Sequence, residues 1–167
     1  MIIQKTIQVN APASQLWKVL WDNYGQVCDW ASTVNSSDYR EVEGNKTGGR
    51  TCVSTWGEIQ EIIESVDEKN MTYKYYADGL PSMMKSAQNV WKVKAKGVNT
   101  SEVSIDLDIE FATIPKILMG WMIVPKMKKD IDQTLEDLKV FVETGKQTEA
   151  KIKSDVKFFK KNKKRVA

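Results

Sequence analysis

Ten residues, Glu102 to Phe111, alternate without a break: Val103, Ile105, Leu107, Ile109 and Phe111 are apolar, and Glu102, Ser104, Asp106, Asp108 and Glu110 are polar. Successive side chains of a strand point to opposite faces, so this segment has one dry side and one wet side. Parallel sheets are covered on both faces, whereas an antiparallel sheet can leave one face to water. The rest of the chain must therefore supply antiparallel partner strands and an apolar element to lie on the dry face.

Six further segments have strand character. Residues 2–9 set Ile3, Ile7 and Val9 against Gln4, Thr6 and Gln8, and Asp38–Val42, Arg50–Thr55, Glu58–Val66, Met71–Ala77 and Gln88–Lys96 follow. Glu43–Gly49, with three glycines, is expected to be a loop, and Trp56-Gly57 and Asp67–Asn70 tight turns. Asp78–Pro81 opens a longer loop that ends near Ser86. Between the first two strands, Asn10 and Pro12 start a helix expected over Ala13–Asp22, Asn23-Tyr24-Gly25 interrupts it, and a second short helix carries Trp30 over Gln26–Ala31.

The apolar cover comes near the end of the chain. Met127, Ile131, Leu135, Leu138 and Val142 recur every three or four residues, with Pro125 suited to a first turn and Gly145 to a C-terminal cap. Lys116–Val124 before it is expected to form one or two helical turns. The order predicts an α+β architecture, one curved antiparallel sheet of seven strands and one dominant helix. Residues 1–145 form the domain, and 146–167 a basic C-terminal extension.

Composition narrows the chemistry. The 167 residues are 41% hydrophobic and 28% charged, enough for a core without staples. Histidine is absent, which removes the commonest general base and zinc ligand. Cys28 and Cys52 have no motif spacing, so no metal site and no cofactor are expected. No 18-residue apolar run and no leader-like segment is seen, and free thiols point to a reducing cytoplasm. Residues 146–167 hold nine of the 25 Lys/Arg and two of the 22 Asp/Glu, a net +7 that leaves −4 for the body.

Ala11-Pro12 leading into Leu16-Trp17, Trp30, Gly48-Gly49-Arg50, Glu61 six residues before Asp67, Tyr73 and Tyr75, Leu80-Pro81, Trp91, and Leu135 to Leu138-Lys139 occur in that order. In this the chain resembles the START-like superfamily, which includes polyketide cyclase/dehydrase and lipid-transport domains, pollen allergens and abscisic-acid receptors. The resemblance covers residues 2–145. It implies a helix-grip fold, in which the sheet wraps the long helix around an apolar cavity. It implies activity weakly, because the fold hosts carriers, receptors and enzymes.

Strand parity nominates the cavity wall. With the turn at Trp56-Gly57, Thr55 pairs with Glu58, Cys52 with Glu61 and Arg50 with Ile63. Arg50 then lies diagonal to Glu61, ~7 Å away between backbones. Arg50, Cys52, Ile59, Glu61 and Ile63 share the inner face, continued by Tyr73 and Tyr75, Asn89 and Trp91, and Leu107. Met127, Ile131 and Leu135 face them from the helix, and Met83 and Met84 lie in the loop at the mouth. The resemblance adds that Arg50 and Glu61 sit where receptor relatives line their cavity, making Glu61 the polar anchor. A packing role competes at each position: an Arg–Glu pair on neighbouring strands is commonly structural, and Tyr73, Tyr75 and Trp91 suit a plain core.

Two functions follow. One is binding or transport of a hydrophobic small molecule or lipid. The other is a cyclase- or dehydratase-like enzyme without a metal, with Glu61 as base and Tyr73 or Tyr75 as acid. A protein-interaction module is a third reading. In the extension, Ile152, Val156 and Phe159 fall at i, i+4 and i+7 among lysines. That suits a helix on an anionic membrane surface, a helix docked on the domain, or a solvated tail. Nucleic acid is not expected, since no such motif accompanies the charge.

Overall fold

Alternation along residues 100–111 becomes alternating burial in the computed structural model, which describes residues 1–112 and 119–166. Seven antiparallel strands form one sheet: β1 (Ile2–Val9), β2 (Val34–Val42), β3 (Asn45–Ser54), β4 (Gly57–Asp67), β5 (Thr72–Asp78), β6 (Met84–Gly97) and β7 (Thr100–Phe111). Their order is β1-β7-β6-β5-β4-β3-β2, so β2 to β7 are successive hairpins and β1 pairs with β7. The inner face carries Val103, Ile105, Leu107 and Ile109, all buried.

The long helix α2 (Val124–Thr144) has Pro125 in its first turn, where a missing N–H leaves nothing unpaired. Gly145 ends it at φ +68°, its N–H donating to the Phe141 carbonyl at 2.8 Å. Met127, Ile131, Leu135, Leu138 and Val142 are its buried residues on the apolar stripe. Its C-terminal end is tied to the chain start, where the Asn10 N–H donates to Glu143 at 2.7 Å and Gln15 to the Val142 carbonyl at 2.8 Å.

Several boundaries differ from the sequence expectation. The expected loop over 43–49 is a two-residue turn, Glu43-Gly44, with Gly44 at φ +75°. Asn45 to Gly49 belong to β3, and β2 starts at Val34. The β3–β4 turn is Thr55-Trp56, because Ser54 pairs with Gly57, whose φ is +111°. That moves the register by two residues: Arg50 faces Glu61 directly, and Cys52 faces Ile59. Side-chain parity has period two, so the inner face keeps its members. Gly49 makes this close pairing feasible, since a Cβ there would sit 2.1 Å from the Glu61 carbonyl oxygen.

The expected helix over Ala13–Asp22 is α1 (Ala13–Trp17) widening into a π turn at Lys18–Asp22, and the next is a 3₁₀ segment at Tyr24–Asp29. These short pieces lay Trp17, Trp21 and Tyr24 against Tyr73, with ring centroids 5.6–5.9 Å apart. Before α2, Met119–Ile123 forms a π turn, and the rest of the turns expected from Lys116 falls outside the described residues. The extension forms a further helix, α3 (Glu149–Val166).

Candidate functional site

The sheet and α2 do not close on each other. They leave a cavity of about 180 Å³, walled by the inner faces of β3 to β7, α2 and the short helices. An apolar cavity of ~150 Å³ already admits a benzene ring. Eleven of the residues nominated from sequence line it: Arg50, Ile59, Glu61, Tyr73, Tyr75, Met84, Asn89, Trp91, Leu107, Met127 and Ile131. Cys52, Ile63 and Leu135 are buried in the surrounding core, and Met83 packs against that core from outside. The other walls are Val19, Leu20, Val27 and Trp30 from the short helices, with Ile105 and Ile109 from the sheet.

The polar end is built on the β3–β4 pair. Arg50 Nε donates to Glu61 Oε2 at 2.6 Å and Nη2 approaches the same oxygen at 2.5 Å, with both side chains buried. Tyr24 adds its hydroxyl to Oε2 at 3.2 Å, and its carbonyl accepts from Arg50 Nη1 at 2.7 Å. The guanidinium lies 4.1 Å from the Tyr24 ring centroid, a cation–π contact strengthened by burial. Glu61 Oε1 takes no side-chain donor among the described residues. Burial opposes the charge on Arg50, but the Glu61 carboxylate, with a smaller contribution from the Tyr24 phenol, more than offsets it, so its pKa lies well above the usual arginine value. Burial pushes the Tyr24 phenol far up and the Cys52 thiol to about 12.

A second polar cluster lies on the floor, across β5 and β6. Tyr73 faces Trp91 and Tyr75 faces Asn89 in the register. The Trp91 Nε1–H is buried and has no acceptor among the described residues. It lies toward the Tyr75 hydroxyl, close enough to act on its pKa, without the geometry of a hydrogen bond. Burial still holds both the Tyr73 and Tyr75 phenols above their ordinary pKa. The Tyr73 and Tyr75 hydroxyls and the Asn89 amide belong to buried residues that line the same cavity, and they make no side-chain hydrogen bond among the described residues.

The rim joins the β3–β4 turn to α2. Trp56 Nε1 donates to Asp130 at 3.0 Å, Lys126 donates to the same carboxylate at 2.8 Å, and its ammonium lies 3.6 Å from the Trp56 ring centroid. Thr33 and Thr134 share a hydrogen bond at 3.0 Å. Leu80 and Pro81 line the cavity from the β5–β6 loop. Sequence reasoning missed Tyr24, which it placed in a break between helices. The available signal was its spacing from Trp17 and Trp21 on the same aromatic row.

No curated protein matches the chain in sequence. Solved structures match its fold. An uncharacterised protein from Bacillus thuringiensis is 18% identical with a TM-score of 0.67, over 83% of this chain and 96% of that one. The di-domain ARO/CYC BexL of the BE-7585A biosynthetic pathway is 14% identical with a TM-score of 0.73, over 86% of this chain and 46% of that one, so the match spans under half of BexL. Ara h 8.0201 is 13% identical with a TM-score of 0.65, over 85% and 97%. In sequence, residues 2–143 match the family described as polyketide cyclase / dehydrase and lipid transport. That match takes in all seven strands and all of α2 but its last residue, and the chain therefore belongs to this family of helix-grip proteins.

Proposed function

We propose that this protein binds a hydrophobic small molecule or lipid inside the cavity and carries it without turnover. The observation that supports this best is the unpartnered Trp91 Nε1–H beside an open, mainly apolar space. A buried donor without an acceptor costs about 1–3 kcal/mol, and a ligand oxygen would relieve it. The ligand is therefore an apolar body with at least one hydrogen-bond acceptor. Burying roughly 300 Å² of it would give about 7 kcal/mol gross at 25 cal/mol/Å², before the cost of association. Micromolar affinity then needs no special chemistry. Arg50 is already neutralised by Glu61, so the polar end has no spare positive charge for a carboxylate. Cys28 and Cys52 are unpaired thiols, which supports a reducing, cytoplasmic setting.

A second reading is a cyclase- or dehydratase-like enzyme. The likeness to the ARO/CYC BexL and the free Oε1 of Glu61 favour it, with Glu61 taking a proton and a cavity tyrosine giving one. Against it, two of the three Arg50 nitrogens, Nε and Nη2, already hold the carboxylate. Native mass spectrometry of protein purified from cells separates the outcomes. A co-purifying apolar small molecule released unchanged supports the carrier. Release of a chemically altered molecule, lost in Glu61→Gln, supports the enzyme. An empty cavity that also rejects apolar probes contradicts both.

A further inference from the structure

The family match ends at Glu143, and the charge of the chain is concentrated beyond it. An isolated lysine-rich helix of this length is marginal in water. Here α3 is held at its start. The Lys151 side chain is fully buried, donating to the Val34 carbonyl at 2.8 Å and to Asp155 at 2.7 Å. Asn35 donates to Ser154 at 2.9 Å and to Asp155 at 3.1 Å, and Thr148 donates to the buried Asp137 of α2. β2 is the edge strand of the sheet, so the helix starts beside an otherwise open edge.

These contacts fix which way the helix faces. At 100° per residue its surface divides into three sectors. Lys151, Ser154 and Asp155 point to the body. Ile152, Val156 and Phe159 form the next sector, and they are 50%, 47% and 56% exposed. Lys157, Lys160 and Lys161 follow, exposed and without an ion pair among the described residues. A row of three large apolar side chains beside a row of lysines matches a surface with an apolar interior under an anionic skin.

We propose that this face of α3 docks the protein on anionic lipid bilayers. The charge of the extension, +7 against −4 for the body, points it there. Two copies meeting through the stripe would bring two such segments together, which like charge opposes. A nucleic acid would satisfy the lysines but leaves Ile152 and Val156 with neither ring to stack nor apolar partner. The helix is ordered before contact, so docking does not have to order a coil. This surface lies outside the cavity and stands whether or not the carrier reading does.

The test uses the full-length protein and vesicles of phosphatidylcholine alone or with about 30 mol% phosphatidylserine, read by co-flotation. Binding to the anionic vesicles only, lost at ~0.5 M salt where charges are screened within a few Å, is expected. Each lysine near the surface is worth roughly fivefold, so Lys157→Glu with Lys160→Glu and Lys161→Glu should weaken binding at least ~100-fold. Ile152→Ser with Phe159→Ser should weaken it at least ~10-fold at unchanged charge. Both variants should keep the circular dichroism spectrum and thermal midpoint of the parent. Equal binding to neutral vesicles, no binding to anionic ones, or variants that bind as the parent does would overturn the proposal. So would a dimer in light scattering that Ile152→Ser with Phe159→Ser dissolves, or tighter binding to duplex DNA than to anionic vesicles.

Discussion

Arg50 and Glu61 face each other directly across β3 and β4, joined at 2.5–2.6 Å, with both side chains buried. Two charges taken out of water hold each other there, and either one alone is poorly placed. Glu61→Ala should therefore destabilise the protein by about 3–5 kcal/mol, because it strands the guanidinium. Arg50→Met combined with Glu61→Leu should lose much less than the two single changes together. Urea unfolding of the parent, Glu61→Ala, the two single changes and their combination checks this, and additive losses would mean that the pair is not coupled.

Gly49 sets that pairing. A methyl group at residue 49 would have to push the Glu61 carbonyl away from 2.1 Å. Gly49→Ala should cost about 1–3 kcal/mol as overpacking does, and it should also weaken ligand binding, because Glu61 moves with its backbone. A variant as stable as the parent would show that the two strands are not in this contact.

Much of the fold was legible from residue spacing, and the gaps have physical causes. The alternation of Glu102–Phe111 and the stripe from Met127 to Val142 were plain, because each buries one face against one partner. Residues 45–49 looked like a loop because Asn45, Lys46 and two glycines mask a strand, although Thr47 bonds the Asn45 side chain and the backbone still pairs. The register error arose from reading Gly57 as part of the turn, when it pairs with Ser54 and so lies just after it. Parity survived the error, so most of the cavity wall was readable. Tyr24 was not, because its role depends on Arg50, Glu61 and Tyr73 arriving from other elements. Nor was the burial of Lys151, since a lysine among lysines looks solvated.

Tyr75→Phe removes a hydroxyl that makes no side-chain hydrogen bond among the described residues, so stability should change by less than about 1 kcal/mol. Binding should separate by ligand chemistry. A neutral aromatic ketone should lose about tenfold, one hydrogen bond's worth, and a hydrocarbon of the same size should be unaffected. Parallel titrations of the two ligands check it. Equal losses would mean that the hydroxyl packs and does not bind.

Tyr24, Tyr73 and Tyr75 have phenol pKa values raised by burial. A group harder to ionise in the folded protein contributes its full stability below its unfolded pKa, here ~10 for the phenols, and loses it as pH rises. Cys52, raised to about 12, acts in the same sense from its unfolded value upward. Stability should thus fall above pH ~10. Absorbance of phenolate from these three residues should appear together with loss of circular dichroism. Their ionisation in a protein still folded would contradict their burial.

The central claim is that the space between sheet and α2 is open to an apolar guest. The most direct measurement is fluorescence titration with N-phenyl-1-naphthylamine, for the parent and for Ala87→Phe, which places a ring into the cavity from β6. The account predicts saturable one-to-one binding by the parent and none by Ala87→Phe, with both proteins folded. No saturable binding by the parent, or unchanged binding by Ala87→Phe, would contradict it.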